Sequence, residues 1–219
     1  MANFEDLIRR WHLGWQASRD LPAAEATDDG LRIHCAQPGR AFEVLALRAD
    51  EDPESVRRLA AQVSAAQEPT WLTVTTSDPA KVAAAVEAAG LRVLHRSEAF
   101  MRTALDSHPR PVLDPTYKYE VQAQGPCVTV LIQDAAGELA ARGQIGLAGG
   151  DAVPDRIETM PAFRRRGLGG AVMGLLAGEA ISRGAHTGLL IASEDGQRMY
   201  SALGWEHVAD VVIAQRPAA

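Results

Sequence analysis

The sequence predicts an α/β protein made of two halves, and three observations predict it. Short β-branched and apolar runs alternate with runs of helical periodicity along the chain. A strand–helix–glycine–strand order occurs twice, around Gly90 and around Gly204. A loop of arginines and glycines, Arg164 to Gly170, joins a strand-like run to a long helical one. The length of 219 residues suits one large or two small domains. The boundary falls in Ser107-His108-Pro109-Arg110-Pro111, a linker-like stretch, which divides the chain into residues 1–108 and 109–219.

In the first half, Phe4, Leu7, Ile8, Trp11 and Trp15 recur at spacings of three and four, which predicts an amphipathic helix over 3–18 packed on the body of the protein. Leu31 to Cys35 and Phe42 to Leu47 read as strands around a Pro38-Gly39 turn. Glu54 to Ala66 reads as a helix with Asp52 as N-cap and Pro53 at its first position. Trp71 to Thr75 is a strand, and Pro79 to Ala89 a helix capped by Asp78. Gly90 to Val93 begins a strand, and Ala99 to Thr103 gives another.

In the second half, Lys118 to Gln122 and Cys127 to Gln133 read as strands. Leu139 to Leu147 is a further strand, in which Gly143 and Gly146 mark a weak point or a bulge. Arg156 to Met160 is the strand before the glycine loop. Leu168, Val172, Leu175 and Leu176 then give a helix an apolar face, and Gly184 stops it. Gly188 to Ala192 is a short buried strand, and Val208 to Ala214 closes the chain.

Bulk composition excludes several classes of function. An apolar fraction of 47% with 5% aromatics suits an ordinary alanine-rich soluble protein. A net charge of −6 gives no footprint for nucleic acid. Cys35 and Cys127 lack metal-ligand spacing, so reduced thiols and no metal are expected. No run of about eighteen apolar residues is present to span a membrane. Glu5, Asp6 and Arg9-Arg10 break any signal-peptide pattern, so a cytoplasmic protein is expected.

The loop carries the chemistry. Small side chains let several backbone N–H groups point at one spot, and a helix beginning there adds its positive end. Such a place holds an anion, most often a phosphate. A Walker loop is excluded, because Gly169-Gly170-Ala171 stands where Gly-Lys-Ser/Thr is needed. A dinucleotide fingerprint is excluded, because Val172 fills its third glycine position. Taken alone, the loop is also compatible with a purely structural helix start.

Arg164-Arg165-Arg166-Gly167-Leu168-Gly169 resembles the acyl-CoA pyrophosphate loop of the GNAT N-acetyltransferases, written R/Q-x-x-G-x-G/A. Tyr200-Ser201-Ala202-Leu203-Gly204-Trp205 resembles the late Tyr-x-x-Leu-Gly-Phe/Trp segment of that family. The resemblance covers roughly residues 117–216. It implies a GNAT-like mixed, mostly antiparallel sheet flanked by helices, with acetyl-CoA as co-substrate and no metal. It also implies transfer of the acetyl group to a small-molecule or peptide amine. Residues 1–108, which lack the arginine-glycine loop, read as a degenerate half that does not bind CoA in the usual way. The sequence departs from the family between Tyr117 and Cys127, where the two helices that build much of the acceptor site have no room. The first half is therefore expected to wall the acceptor, in a cleft near Tyr200.

The resemblance assigns roles to single residues. The backbone of Arg165, Arg166, Gly167, Leu168, Gly169 and Gly170 would hold the pyrophosphate, with Arg164 and Arg166 adding charge. A backbone N–H near Thr159 or Met160 would polarise the thioester. Ser193 stands where the family often bonds CoA through asparagine. Tyr200 would protonate the leaving thiolate, or merely pack against sulfur or core. A phenol pKa near 10 against a thiol near 8.5 makes full transfer uphill by about 2 kcal/mol. Glu158 has two readings: the base that deprotonates the amine, or a carboxylate paired with Arg156 or a loop arginine. His186, His207 and Asp155 are weaker candidates. A sensing or interaction protein that binds CoA and turns over poorly is the alternative of another class. The closing strand, taken as exposed, offers a route to a homodimer.

Overall fold

The computed structural model describes residues 4–217. Helix α1 (Phe4–Arg19) leads into strands β1 (Glu25–Ala26), β2 (Gly30–Gln37) and β3 (Arg40–Ala46). Then follow α2 (Pro53–Ala65), β4 (Thr70–Thr76), α3 (Pro79–Ala88) and β5 (Arg92–Ala104). The second half runs β6 (Lys118–Gln124), β7 (Cys127–Gln133), β8 (Leu139–Ala148), β9 (Asp151–Thr159), α4 (Leu168–Ser182), β10 (Thr187–Ala192), α5 (Glu194–Ala202) and β11 (Glu206–Gln215). All the strands join one mixed, mostly antiparallel 11-stranded sheet, in the order β1-β2-β3-β4-β11-β5-β10-β9-β8-β7-β6.

The pleat sends neighbouring residues to opposite faces, and this sets the two layers. Ala152 of β9 joins Val128, Val130, Ile132 and Ile145 beneath α4. Val153, the next residue, joins Phe100, Leu189 and Val211 beneath Trp11 and Trp15 of α1. Val212 joins the α2–α3 cluster, and Ala99 and Leu190 join Leu203 next to α5. Four helices therefore share one face. Among the described helices, α1 alone covers the other.

Local sequence explains why the elements form where they do. Asp78 caps α3 by accepting from Lys81 N–H at 3.1 Å. Asp52 occupies the N-cap of α2 but makes no capping bond, because its carboxylate accepts from Arg58 instead. Helices α3 and α5 end alike, with Gly90 and Gly204 at φ +84° and +83°. The residue after each glycine donates back to Val86 and Tyr200 respectively, at 3.1 and 3.0 Å. The sequence repeat thus corresponds to a repeat in structure, β3-α2-β4-α3-β5 against β9-α4-β10-α5-β11.

Two expectations are corrected. The two strands expected within 90–103 are one strand, β5, with register shifts against β11 through the polar Arg96-Ser97 stretch. The closing strand is not exposed, because β11 lies between β4 and β5 and pairs with both. The sheet edges are β1 and β6, so the route to a dimer through residues 208–214 is closed. Strand exchange also interlocks the halves: β11 lies against β4, and β5 lies against β10.

Candidate active site

The site begins where two parallel strands part. β9 and β10 pair only at Asp151–Thr187 and Ala152–Gly188, and then diverge. The corresponding pair in the first half, β3 and β4, stays paired over five positions, from Phe42–Thr70 to Ala46–Val74. A bulge helps to turn β9 away. Arg142 faces Glu158 and Gln144 faces Asp155, so two residues, Arg156 and Ile157, oppose Gly143. Arg156 lies at φ +53° there. A Cβ on Gly143 would stand 2.5 Å from Ile157 Cδ1 and 2.6 Å from Val172 Cγ1, so glycine lets the bulge press against α4.

Thr159 pairs with Ala141, and the N–H that bonds back to β8 is that of Met160, to Ala140 O at 2.9 Å. Antiparallel alternation then turns the Thr159 N–H away from β8, toward the opening. Of the two backbone donors expected there, Met160 is engaged and Thr159 faces the gap.

The glycine loop closes the open end. Gly167 is the N-cap of α4 at φ +78° and offers no side-chain cap. Arg165 is also left-handed, at φ +63°. Ala171 N–H bonds to Gly167 O. Among the described residues, the amides of 165–170 have no protein acceptor, which is the arrangement that anions fill at helix starts. Arg164 Nε lies 3.4 Å from Thr159 O. Arg166 donates to Tyr117 OH and Ala162 O, each at 3.1 Å, and stacks over Phe163. All three arginines are exposed. Leu168 is buried and anchors the turn. A Cβ on Gly169 would stand 2.8 Å from Met199 Sδ, so this glycine lets α5 approach, whereas Gly170 has room.

On α5, Ser193 is an exposed N-cap without a side-chain cap bond. Tyr200 is half-buried and packs edge-on against Trp205 at 6.0 Å. Burial first, and the Asp155 charge second, push its phenol up to about 12. Relative to a thiol near 8.5, full proton transfer is then uphill by about 5 kcal/mol rather than about 2.

Glu158 is half-exposed and ion-paired with Arg142 at 2.8 Å. Its arginine is thus a cross-strand neighbour, neither Arg156 nor a loop residue. Sequence reasoning missed Arg142, because the pairing depends on register. It also left Asp155 without a partner. Arg19, the last residue of α1, donates to both Asp155 oxygens at 2.6 and 2.7 Å. The first half thereby reaches the diverging strands from the face opposite α4. His186 and His207 are exposed, and among the described residues their rings bond to Thr187 and Asp210 respectively. Both cysteines are free.

A cavity of about 600 Å3 lies elsewhere, between α2 and α3. Its mouth holds Asp50, whose carboxylate accepts from Ser77 N–H and Oγ and from Thr76 Oγ1. It occupies the counterpart of the α4 loop, with acids where that loop has arginines. Size alone therefore does not locate the anion site. A second cavity, of about 530 Å3, opens beside Arg19, Asp20, Cys127 and Arg156.

No family model matches the chain, and no curated protein matches it. Its structure is similar to that of a GCN5-related N-acetyltransferase from Kribbella flavida, with TM-score 0.68 and 17% identity over 97% of this chain and 96% of that one. It is similar to a GCN5-related N-acetyltransferase from Sphaerobacter thermophilus, with TM-score 0.61 and 13% identity over 87% and 78% of the two chains. It is also similar to a tandem GNAT protein from the clavulanic acid biosynthesis pathway, with TM-score 0.59 and 15% identity over 87% and 80%. Shared topology at such low identity, together with the parted strands, gives this chain the GNAT N-acetyltransferase fold.

Proposed function

We propose that the protein is an acetyl-CoA-dependent N-acetyltransferase of the GNAT family, acting on a primary amine by direct attack on the thioester. The observation that carries this reading is the parting of β9 from β10 beside a helix start whose amides are unengaged. A pantetheine arm needs such a gap to thread the sheet, and a pyrophosphate needs such a loop. In this reading the amides of 165–170 hold the pyrophosphate, Ser193 lines the arm, and Thr159 N–H polarises the carbonyl. One such donor is worth about 3 kcal/mol in the transition state. CoA enters from the face of α4 and α5, and the acceptor from the face of α1. The cavity beside Arg19 and Arg156 opens on that second face. Residues 1–108 act as a half that packs and walls the acceptor without holding CoA, consistent with the unbroken β3–β4 pairing.

Tyr200 favours one refinement. A phenol at about 12 is a poor full proton donor, so its role is a hydrogen bond to the departing sulfur. The same observation favours, as a second reading, a CoA-binding sensor with slow turnover. Thiol release from acetyl-CoA with a panel of primary amines separates the two. An enzyme releases CoA only when an amine is present, and Tyr200→Phe reduces the rate while keeping CoA affinity. Binding without amine-dependent release in any arm selects the sensor.

A further inference from the structure

Among the described residues, the carboxylates on the α1 face around the parted strands are held by arginines, with Glu98 the exception. Asp151 accepts twice from Arg10 of α1, at 2.9 and 2.6 Å. Asp155 accepts twice from Arg19. Glu158 is paired with Arg142. Glu43 is paired with Arg40 and accepts from Thr73 Oγ1 at 2.6 Å. Glu98 of β5 has, among the described residues, His95 alone within ion-pair distance, at 3.8 Å, and its side chain is 17% exposed. Ala99 pairs with Ala192 at the end of β10, and Phe100 beside it faces α1, so pleating places Glu98 on the α1 face as well. Strand exchange alone brings this first-half residue next to β10.

Resting on the acetyltransferase reading of the site, we propose that Glu98 takes the proton from the acceptor, and that the acceptor is a cationic primary amine bound on the α1 face between Glu98 and Asp155. The Glu98 carboxylate accepts one N–H proton of the ammonium. The freed lone pair forms the C–N bond to the thioester carbon, the C–S bond breaks, and its electron pair leaves on sulfur. The second nitrogen proton passes to the thiolate, and Glu98 returns its own to water.

The surroundings suit this role. Burial pushes the Glu98 carboxyl above the usual range, against the opposing pull of His95 on its own strand and Arg40 from β3. Arg40 is fixed between Trp15 and Trp71, 5.2 and 4.7 Å from their ring centres, and Arg19 and Asp155 also bear on it. A raised carboxyl lies closer to the working pH of a base. An ammonium brought alongside supplies the counter-charge that a buried, ionised carboxylate needs.

The test combines three readouts on the wild type, Glu98→Gln, Glu98→Asp and Glu138→Gln. With propylamine, cadaverine and lysine as acceptors, Glu98→Gln is expected to lower kcat/KM about 100-fold or more and to remove the acid limb of its pH profile. Glu98→Asp recovers part of the rate, and Glu138→Gln, at an exposed carboxylate in the β7–β8 turn, stays within about threefold. Unfolding of Glu98→Gln should occur at a higher temperature than wild type at neutral pH, because an ionised buried carboxylate is replaced by a neutral isostere. The raised carboxyl binds its proton more tightly when folded. Wild type therefore loses stability relative to Glu98→Gln as pH rises from the ordinary glutamate range through the raised value. A carbon-13 titration of the Glu98 carboxyl should locate that value directly.

Full turnover in Glu98→Gln, or a lowered unfolding midpoint, overturns the proposal. So does titration at an ordinary glutamate pH, whether or not the panel contains a substrate. If acetyl-CoA leaves the wild-type midpoint unmoved, the acetyltransferase reading fails instead.

Discussion

Gly146→Ala probes how the first half is fastened to the second. A Cβ at Gly146 of β8 would stand 2.0 Å from Gly14 O and 2.5 Å from Ser18 N of α1, where ordinary contact begins at 3.4 Å. Helix α1 must therefore lift by about 1.4 Å, the difference between 3.4 and 2.0 Å. Four large side chains, Leu7, Ile8, Trp11 and Trp15, are buried beneath it. Their burial is worth about 2 kcal/mol each, and a gap of about 0.5–1 Å, smaller than this lift, already forfeits a quarter to a half of close contact. The expected loss is about 3 kcal/mol, or roughly 6–12 °C in midpoint for a chain of this size. Thermal and urea unfolding measure it. Gly178→Ala is the control: nothing lies within 4 Å of its added Cβ in the middle of α4, so it should stabilise by about 0.5–1 kcal/mol. Gly146→Ala should also draw Arg19 from Asp155 and weaken amine use, while leaving acetyl-CoA binding intact. A wild-type midpoint for Gly146→Ala, or lost CoA binding with unchanged stability, would refute the reasoning.

Asp155→Asn removes a largely desolvated ion pair and should cost about 3 kcal/mol. The same change lowers the Tyr200 pKa below about 12, because the repulsion of the phenolate is gone; ultraviolet titration in a Tyr117→Phe, Tyr119→Phe background reads it. His12 is buried, and burial pushes its pKa down to about 4 from 6.5. The unfolded chain then binds the extra proton first, so stability is full above about 6.5 and falls by about 3 kcal/mol as pH drops toward 4. His12→Gln should flatten that limb in urea unfolding across pH 4–7. Tyr200→Phe loses a charge-assisted hydrogen bond to sulfur and should slow turnover about 10- to 100-fold. No hydrogen bond to the Tyr200 hydroxyl is present among the described residues, so thermal unfolding of Tyr200→Phe should match wild type within about 1 °C.

The legible parts of the fold were those written in local periodicity or backbone chemistry. The stripe of Phe4, Leu7, Ile8, Trp11 and Trp15 predicts α1, and glycine after an apolar helix predicts the ends at Gly90 and Gly204. The loop before α4 is legible because its chemistry is carried by consecutive residues. What depends on register was hidden. Glu158 finds Arg142 only through the β8–β9 bulge, and Arg19 finds Asp155 across 136 residues of sequence. The long β5 was read as two strands, because its polar middle, Arg96-Ser97-Glu98, breaks the alternation that burial requires. That polarity goes with exposure: Arg96 and Ser97 lie at the surface, where Arg96 bonds to Glu87 and Ser97 to Glu194 and Gln197 of α5. The closing strand looked like an edge because chain order does not encode insertion between β4 and β5.

The most direct test of the central claim is thermal unfolding with and without acetyl-CoA, on wild type and on the double variant Arg166→Glu, Gly169→Glu. A ligand at a hundredfold over its Kd adds about 2.7 kcal/mol to the native state. A wild-type midpoint raised by several degrees, and unmoved in the variant, is the predicted result. A wild-type midpoint that acetyl-CoA leaves unmoved, or a variant that responds as the wild type does, would contradict it and make the arginine-glycine loop a helix start and nothing more.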